Sequence, residues 1–375
     1  MELDLTDEQR MLGDAVKSLL DKRYDANARL ALLESSGPEH WSRELWKQYA
    51  ELGLLGLTFD EQYGGAGMGV GELAVVMEAF GRALILEPFI ATVVLGGQLI
   101  AAAGTPEQKS TLLPAVAEGS TLLAFGYTEP ASRWSLTDIT TTATPSGDGW
   151  TISGEKIAVL GGDVADQLLV TATTPDGAVG LFLVAGADVV RDTYQLQDGL
   201  GAADVLLSDS PAVAVGSPAD ALAHIESVLD VATAVLCSEA VGAMDRMLWL
   251  TVDYLKTRVQ FGQPISVFQA LQFRSADMYV SLEQARSMAL VARLSLADDD
   301  VAERRRAVQA AKIQIDTSSR HIGLEAIQLH GGIGMTMEYP VGHYVKRTTV
   351  IAKTFADTDT LVEIVGAGGG LITAG

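Results

Sequence analysis

The stretch TFADTDT, residues 354–360, sets two carboxylates, Asp357 and Asp359, on either side of Thr358. An acid beside a second acid can serve as a general base whose pKa its neighbour tunes. The same residues can equally start a helix, because a carboxylate there accepts free backbone N–H groups and meets the positive end of the helix dipole. Thr360 and Glu363 have capping-box spacing ahead of the apolar Leu361, Val362 and Ile364, so the sequence favours a cap. Asp357 stays open as a proton acceptor.

A second group lies in RVQFGQPISVFQALQ, residues 258–272. Gly262 and Pro264 predict a turn between a helix ending near Arg258 and one restarting near Val267. Beyond the turn, the segment gathers Arg258, Gln260 and Gln269 around Phe261, a set suited to a pyrophosphate and a flat heterocycle. A third lies in AIQLHGGIGMTMEYPVGHYVKR, residues 326–347, where Gln328 and His330 lead into Gly331, Gly332 and Gly334. Such glycines end a helix in left-handed conformations and also let a bulky group approach the backbone. His330 has no second His or carboxylate at metal-ligand spacing, so no metal is expected. GVGELA, 69–74, fits the G-x-G-x-x-A dinucleotide pattern, but TFDEQYGGAGM before it is no buried strand and no βαβ alternation follows. No Gly-x-Ser-x-Gly elbow is present.

These groups need elements to hold them. Residues 1–121 read as helices: Thr6 and Gln9 give a capping box, with Met11, Leu12, Val16, Leu19 and Leu20 on one face, and GELAVVMEAFGRAL (71–84) places Leu73, Val76, Met77, Phe80 and Leu84 on one stripe. Residues 122–216 change to short apolar runs split by turn signals, an antiparallel β region. Residues 217–375 return to long helical patterns at 220–258, 267–297, 301–330 and from about 360, which predicts an antiparallel bundle. The fold class is α+β, mainly α, and the closing GAGGG run is expected to fray.

A chain of 375 residues exceeds one ordinary core, so two or three domains are expected. Its 48 acidic against 26 basic residues, a net charge of -22, exclude a nucleic-acid or anionic-membrane partner, since phosphate contacts need clustered cations. The lone cysteine, Cys237, sits in an apolar run and reads as a core residue. The acidic start has no apolar leader, and PFIATVVLGGQLIAAAG from Pro88 carries Gln98 and reads as a buried helix, so a soluble cytoplasmic protein is expected.

YTEPAS (127–132), GEKIAVLGGDVADQLLV (154–170), RVQFGQPISVFQALQ and QLHGGIGMTMEYPV stand in the order and spacing of the acyl-CoA dehydrogenases, which the chain resembles over nearly its whole length. It is most similar to catalytically incomplete members such as the small subunit of pimeloyl-CoA dehydrogenase. The resemblance implies a helical N-terminal domain, a central antiparallel β-barrel domain and a C-terminal four-helix bundle, with FAD at a subunit interface. It implies α,β-desaturation of an acyl-CoA thioester in fatty acid metabolism, with electrons passed to an electron-transfer flavoprotein or similar acceptor. Carried over by position, Phe125, Tyr127 and Thr128 match the strand that contacts the isoalloxazine. Arg258, Gln260, Phe261 and Gln269 match residues reaching the FAD of a neighbouring subunit. Gln328, Gly331 and Gly332 match the helix end near the adenosine, Thr358 a threonine near the flavin phosphates, and Asp230 an acid near the acyl-CoA.

The departures bear on function. Trp134 stands where the family has a serine for flavin phosphate or CoA, and Ala158, Val159 and Leu160 replace a Trp-Ile-Thr triplet that shields and hydrogen-bonds the flavin. The positions of the catalytic glutamate fall on Phe355 or Ala356, or alternatively on Ala232, and none of these takes a proton. The expected protein is therefore a base-lacking subunit that works in an α2β2 complex with a second dehydrogenase subunit. A self-sufficient homo-oligomer using Asp357, a flavin monooxygenase on the same fold and a non-catalytic scaffold remain alternatives.

Overall fold

The computed structural model describes residues 5–35 and 39–368. The first four residues and the end of the glycine tail expected to fray lie outside the described residues. Helices α1 (Asp7–Arg23), α2 (Ala26–Leu33), α3 (Arg43–Glu51) and α4 (Val70–Ala83) are followed by a π-helix (Ile90–Gly97) running into α5 (Gln98–Ala103), and then by α6 (Pro106–Ala117). Strands β1 (Leu123–Gly126), β2 (Thr142–Ser146), β3 (Gly149–Leu160), β4 (Gln167–Thr173), β5 (Val179–Ala185), β6 (Val190–Gln195) and β7 (Gly201–Ala214) come next. Helix α7 (Ala221–Thr257), the short strands β8 (Val259–Gln260) and β9 (Gln263–Pro264), and helices α8 (Gln269–Ser295), α9 (Val301–His330), α10 (Val341–Ile351) and α11 (Thr358–Ala367) complete the order. Contacts divide the chain into two compact units, one of residues up to Leu30, Val70–Ile85 and Thr233 onward, the other of Ala31–Gly69 and Leu86–Ala232.

In the first unit α1 starts with the expected capping box, Thr6 with Gln9. Val16 and Leu20 are buried, whereas Met11 is exposed, so the apolar face of α1 is narrower than its sequence implies. The stripe of α4 is buried at Leu73, Val76, Met77 and Phe80, and Leu84 is buried just beyond the helix end at φ 57°. Two glycines let α4 and α7 cross closely: a Cβ on Gly81 would lie 1.9 Å from the Glu239 carbonyl oxygen, and one on Gly242 would lie 1.9 Å from that of Glu78. The segment Pro218–Thr257 is long and apolar enough to cross a membrane, yet 78% of its apolar window is buried in the fold. Burial of that kind makes it a core helix of the bundle, with Cys237 inside it, as expected of that cysteine. Helix α10 lies between the helical patterns read at 301–330 and from about 360. Its Val341, Tyr344, Arg347, Thr348 and Ile351 are buried at helical spacing, and Arg347 is neutralised by a forked pair with Glu239 at 2.6 and 2.8 Å.

In the second unit β1–β7 form one sheet, with β1 beside β4 and the order continuing through β2, β3, β7 and β5, while β6 borders β7 and β4 also pairs with β5. The expectation of a wholly antiparallel region is corrected, because β1 runs parallel to β4 and β2 meets β4 in parallel at Thr142 and Thr173. Turn signals report only hairpin neighbours, and these parallel partners are distant in sequence. The inner face packs Ile152, Val159, Leu168, Val170, Phe182, Val184, Ala203, Val205 and Leu207. The π-helix is buried from Ala91 to Gly97, as the apolar run predicts, and its Thr92 hydroxyl donates to the Leu123 carbonyl (3.1 Å) and accepts the Leu123 N–H (3.2 Å). That hydroxyl fixes the first residue of β1.

Candidate functional site

In the sheet-bearing unit, β1 delivers Phe125 and leads to Tyr127, whose rings stack 5.3 Å apart at 21°. Both are buried, and burial pushes the Tyr127 phenol up to about 12, so it stays protonated. The next residue, Thr128, is held to β3 by the Ile157 N–H, which donates to its carbonyl at 2.9 Å. Beneath this turn lies a buried ion pair, Lys156 Nζ to Glu129 Oε1 at 2.7 Å. Glu129 also accepts from the backbone and hydroxyl of both Thr140 and Thr141, and Lys156 donates to Thr171 at 3.0 Å. Burial alone would raise the Glu129 carboxyl, but the Lys156 ammonium and the threonine donors hold it down to about 2. The pair lies within the YTEPAS and GEKIAVLGG stretches. The signal for it was a lysine at an inward position of an apolar strand, which demands a buried counter-charge.

Trp134 is half-buried in the turn that follows, beside Arg133 at φ 51°. On β3, Ala158 adopts φ 50° within a register shift between Lys156 and Val159, and its N–H donates to Asp204. Asp230, on α7, is buried, as is Ala232.

The helical unit holds the remaining residues. Phe261 (φ 53°) and Gly262 (φ 78°) turn the β8–β9 hairpin, matching the two left-handed positions of a type I′ turn. Helix α8 restarts at Gln269, two residues after the expected Val267. Phe261 is 90% exposed, and Arg258, Gln260 and Gln269 are exposed with it. Among the described residues the Arg258 side chain has no hydrogen bond or ion pair. At the end of α9, Gln328 is exposed and Gly331 takes φ 66°. Only Gly331 of the three glycines has a positive φ, and its ψ of -144° lies outside the left-handed helical cap expected there; the following turn is a short 3-10 helix (Gly331–Met335). A Cβ on Gly331 or Gly332 would meet nothing within 4 Å, so the backbone there is open to a bulky group. His330 is buried, donates from Nδ1 to the Ala326 carbonyl at 2.7 Å and stacks on Tyr254 at 4.5 Å. Among the described residues no group of three His, Cys, Asp or Glu residues has metal-ligating geometry.

The 354–358 loop is the most decisive segment. Phe355 adopts φ 66° and Ala356 is buried. Helix α11 begins at Thr358 and its cap is Asp357, which corrects the expected cap at Thr360 with Glu363. Asp357 Oδ1 accepts the Thr360 N–H at 2.9 Å and Oδ2 faces Lys353 at 3.3 Å. The Thr360 N–H first, and then Lys353, hold this carboxyl below the usual range. The Thr358 hydroxyl donates to Asp316 at 3.1 Å, and Asp316 is itself clamped by buried Lys312 at 2.7 and 2.8 Å. A separate cleft of about 520 Å³ in the same unit, bordered by Tyr24, Arg29, Arg82, Arg246, His343 and Tyr344, contains none of the candidate site residues named from the sequence.

Residues 6–120 match the family model of the acyl-CoA dehydrogenase N-terminal domain and residues 222–367 that of the C-terminal domain. The chain is 33% identical over 356 residues to the probable acyl-CoA dehydrogenase YngJ of Bacillus subtilis, covering 91% of this chain and 92% of that one. It is 35% identical over 320 residues to acyl-CoA dehydrogenase FadE12 of Mycobacterium tuberculosis, covering 81% of each. A solved structure of a variant of the "Tcur3481-Tcur3483 steroid ACAD" superposes with a TM-score of 0.87 at 31% identity, covering 97% of this chain and 98% of that one.

Proposed function

The chain belongs to the acyl-CoA dehydrogenase family of FAD-dependent oxidoreductases, and from that premise we propose that it is the base-lacking subunit of a heteromeric enzyme that desaturates an acyl-CoA thioester. One observation carries this reading. The single carboxylate of the 354–358 loop, Asp357, is committed as a helix cap and held ionised, while Phe355 and Ala356 beside it, and Ala232 on α7, have no proton acceptor. A general base works best with a pKa near working pH. The Asp357 carboxyl is held below even the usual carboxylate range, and its position is fixed by the cap and by Lys353. The α-proton of the thioester is then taken by a glutamate of a second dehydrogenase subunit.

The residues present fit FAD at its phosphate and adenosine end. Arg258 lacks a partner among the described residues, Phe261 projects from its turn, and the backbone at Gly331 and Gly332 is open. Arg258 would neutralise the pyrophosphate of the FAD of a neighbouring subunit, Gln260, Phe261 and Gln269 would reach that same FAD, and Gln328 with the two glycines would border the adenosine part. Phe125, Tyr127 and Thr128, braced by the Glu129–Lys156 pair, would orient the ring system, with Thr358 near the phosphates and Asp230 near the acyl-CoA. Bound FAD supplies the acceptor for the hydride that leaves the β-carbon.

Exposed apolar side chains on the helical unit, Val259, Phe261, Phe273, Val280 and Leu324, support an assembly that covers them. The similar Tcur3481-Tcur3483 steroid ACAD supports a two-chain complex acting on a bulky thioester. An electron-transfer flavoprotein or similar acceptor downstream belongs to the same reading. A three-part division at 1–121, 122–216 and 217–375 and a cytoplasmic setting belong to the same reading. So does a barrel in the middle part, supported by pairings that run from β4 through β5, β7, β3 and β2 and return to β4.

The test is steady-state reduction of an artificial electron acceptor by straight, branched, dicarboxylyl and steroid acyl-CoA thioesters. The chain alone should be inactive and should gain turnover with a glutamate-bearing partner subunit. Rapid turnover by the chain alone would replace this reading with a self-sufficient enzyme.

A further inference from the structure

The cleft of about 520 Å³ in the helical unit takes no part in the flavin and thioester contacts assigned above. Three polar side chains that line it are almost wholly buried, Tyr24, Arg29 and Tyr344, at 5%, 6% and 6% exposure. Arg29 donates from Nε to the Leu84 carbonyl at 2.8 Å and from Nη1 to His343 Nδ1 at 3.1 Å. His343 accepts there, so its proton sits on Nε2 and goes to the Met337 carbonyl at 2.9 Å. Burial first, and then Arg29 and Lys346, lower the pKa of this imidazole, which stays neutral. The Tyr344 hydroxyl donates to the Arg82 carbonyl, which leaves its oxygen to accept from the Arg246 guanidinium. Arg246, Arg29 and Arg82 thus surround one phenol.

Most charges of the cleft cancel locally. Arg82 pairs with Asp245, which also pairs with Arg286, and Arg286 holds Glu78 at 3.0 Å. Lys17 pairs with Asp21, and Asp25 accepts the Ala28 N–H at 2.8 Å as a helix cap. Arg246 is different: it is exposed at the edge of the cleft and makes no ion pair among the described residues. Two exposed acids, Asp14 and Glu338, stand on the rim. A guanidinium inside an acidic rim attracts one negative charge and disfavours a polyanion. Beside it, Leu20, Val75, Ala79 and Leu250 supply apolar walls.

We propose that this cleft is a binding site, separate from the flavin and thioester contacts, for a small monocarboxylate with an apolar tail. Its head group is forked by Arg246 beside the Tyr344 hydroxyl, and its tail lies against Val75, Ala79 and Leu250. A planar guanidinium matches a carboxylate through two parallel hydrogen bonds, and the cleft has the volume of a small-molecule site. The assignment rests on neither the dehydrogenase reading nor the heteromer.

The test is isothermal titration of the purified protein with octanoate, kept below the concentration at which it aggregates. Octanoate should bind saturably, and octan-1-ol and octylammonium, which lack the negative charge, should bind at least about tenfold more weakly. Arg246→Gln keeps a donor for Tyr344 and removes the charge, so it should weaken octanoate by about tenfold or more. Ala79→Phe leaves every charge in place and fills the cleft, so it should abolish the binding. Octanoate held elsewhere, as in a thioester site, is insensitive to both substitutions. Arg246 is exposed, so its variant should keep the parent melting temperature and decides the test even where Ala79→Phe fails to fold. No saturable binding, an unchanged octanoate affinity in Arg246→Gln, or octan-1-ol binding as tightly as octanoate would each overturn the assignment.

Discussion

The Asp357 carboxylate accepts the Thr360 backbone N–H at 2.9 Å, which makes it the cap of α11. A cap substitution acts on stability. Asp357→Asn keeps an acceptor and removes the charge, so it should cost about 0.3–1 kcal/mol. Asp357→Ala removes both and should cost about 0.5–2 kcal/mol. Denaturant unfolding of the two variants reads the difference, and FAD affinity should be unchanged in each.

A pH effect should come from Glu87, between α4 and the π-helix, which accepts the Ser42 N–H at 3.1 Å. Burial pushes this carboxyl up to about 7 from its ordinary 4.5. Between those values folded Glu87 keeps its proton while the unfolded chain releases it, so the folded state binds more protons and stability falls as pH rises through the window. Glu87→Gln keeps the acceptor for Ser42 and removes the titration. Melting temperature followed from about pH 4.5 to about pH 8 should decline less in Glu87→Gln than in the parent. Parallel curves would show that Glu87 is ionised in the fold.

Cofactor affinity should depend on Arg258, whose side chain has no other partner among the described residues. Hydrogen bonds to charged groups contribute about 1.5–3 kcal/mol, so Arg258→Ala should weaken FAD by about tenfold or more with little change in stability. A flavin titration checks this, and unchanged affinity would remove Arg258 from the site.

Local signals carried much of the architecture. The Thr6–Gln9 capping box and the stripe from Leu73 to Leu84 were legible because each is complete within a few residues. Helix α10 was not, since Arg347 interrupts its apolar stripe and the Glu239 that neutralises it lies 108 positions away in the chain. The parallel pairing of β1 with β4 has no turn to announce it. At the site, the glycines and Phe261 were legible by type, but the cap moved from Thr360 to Asp357 because several residues of the segment can cap and only backbone geometry selects one. The buried Glu129–Lys156 brace is illegible in the sequence for the same reason as Arg347: each residue's role is set by a partner distant in the chain.

The central claim is that this chain holds the flavin but has no proton acceptor of its own. It is tested most directly by anaerobic stopped-flow single turnover, in which acyl-CoA is mixed with the FAD-loaded protein and flavin absorbance is followed. The chain alone should bleach about a thousandfold more slowly than its assembly with a glutamate-bearing subunit, equivalent to about 4 kcal/mol of transition-state stabilisation. In that assembly Asp357→Asn should bleach at the parent rate. Fast bleaching by the chain alone, abolished by Asp357→Asn, would contradict the account and make Asp357 the base.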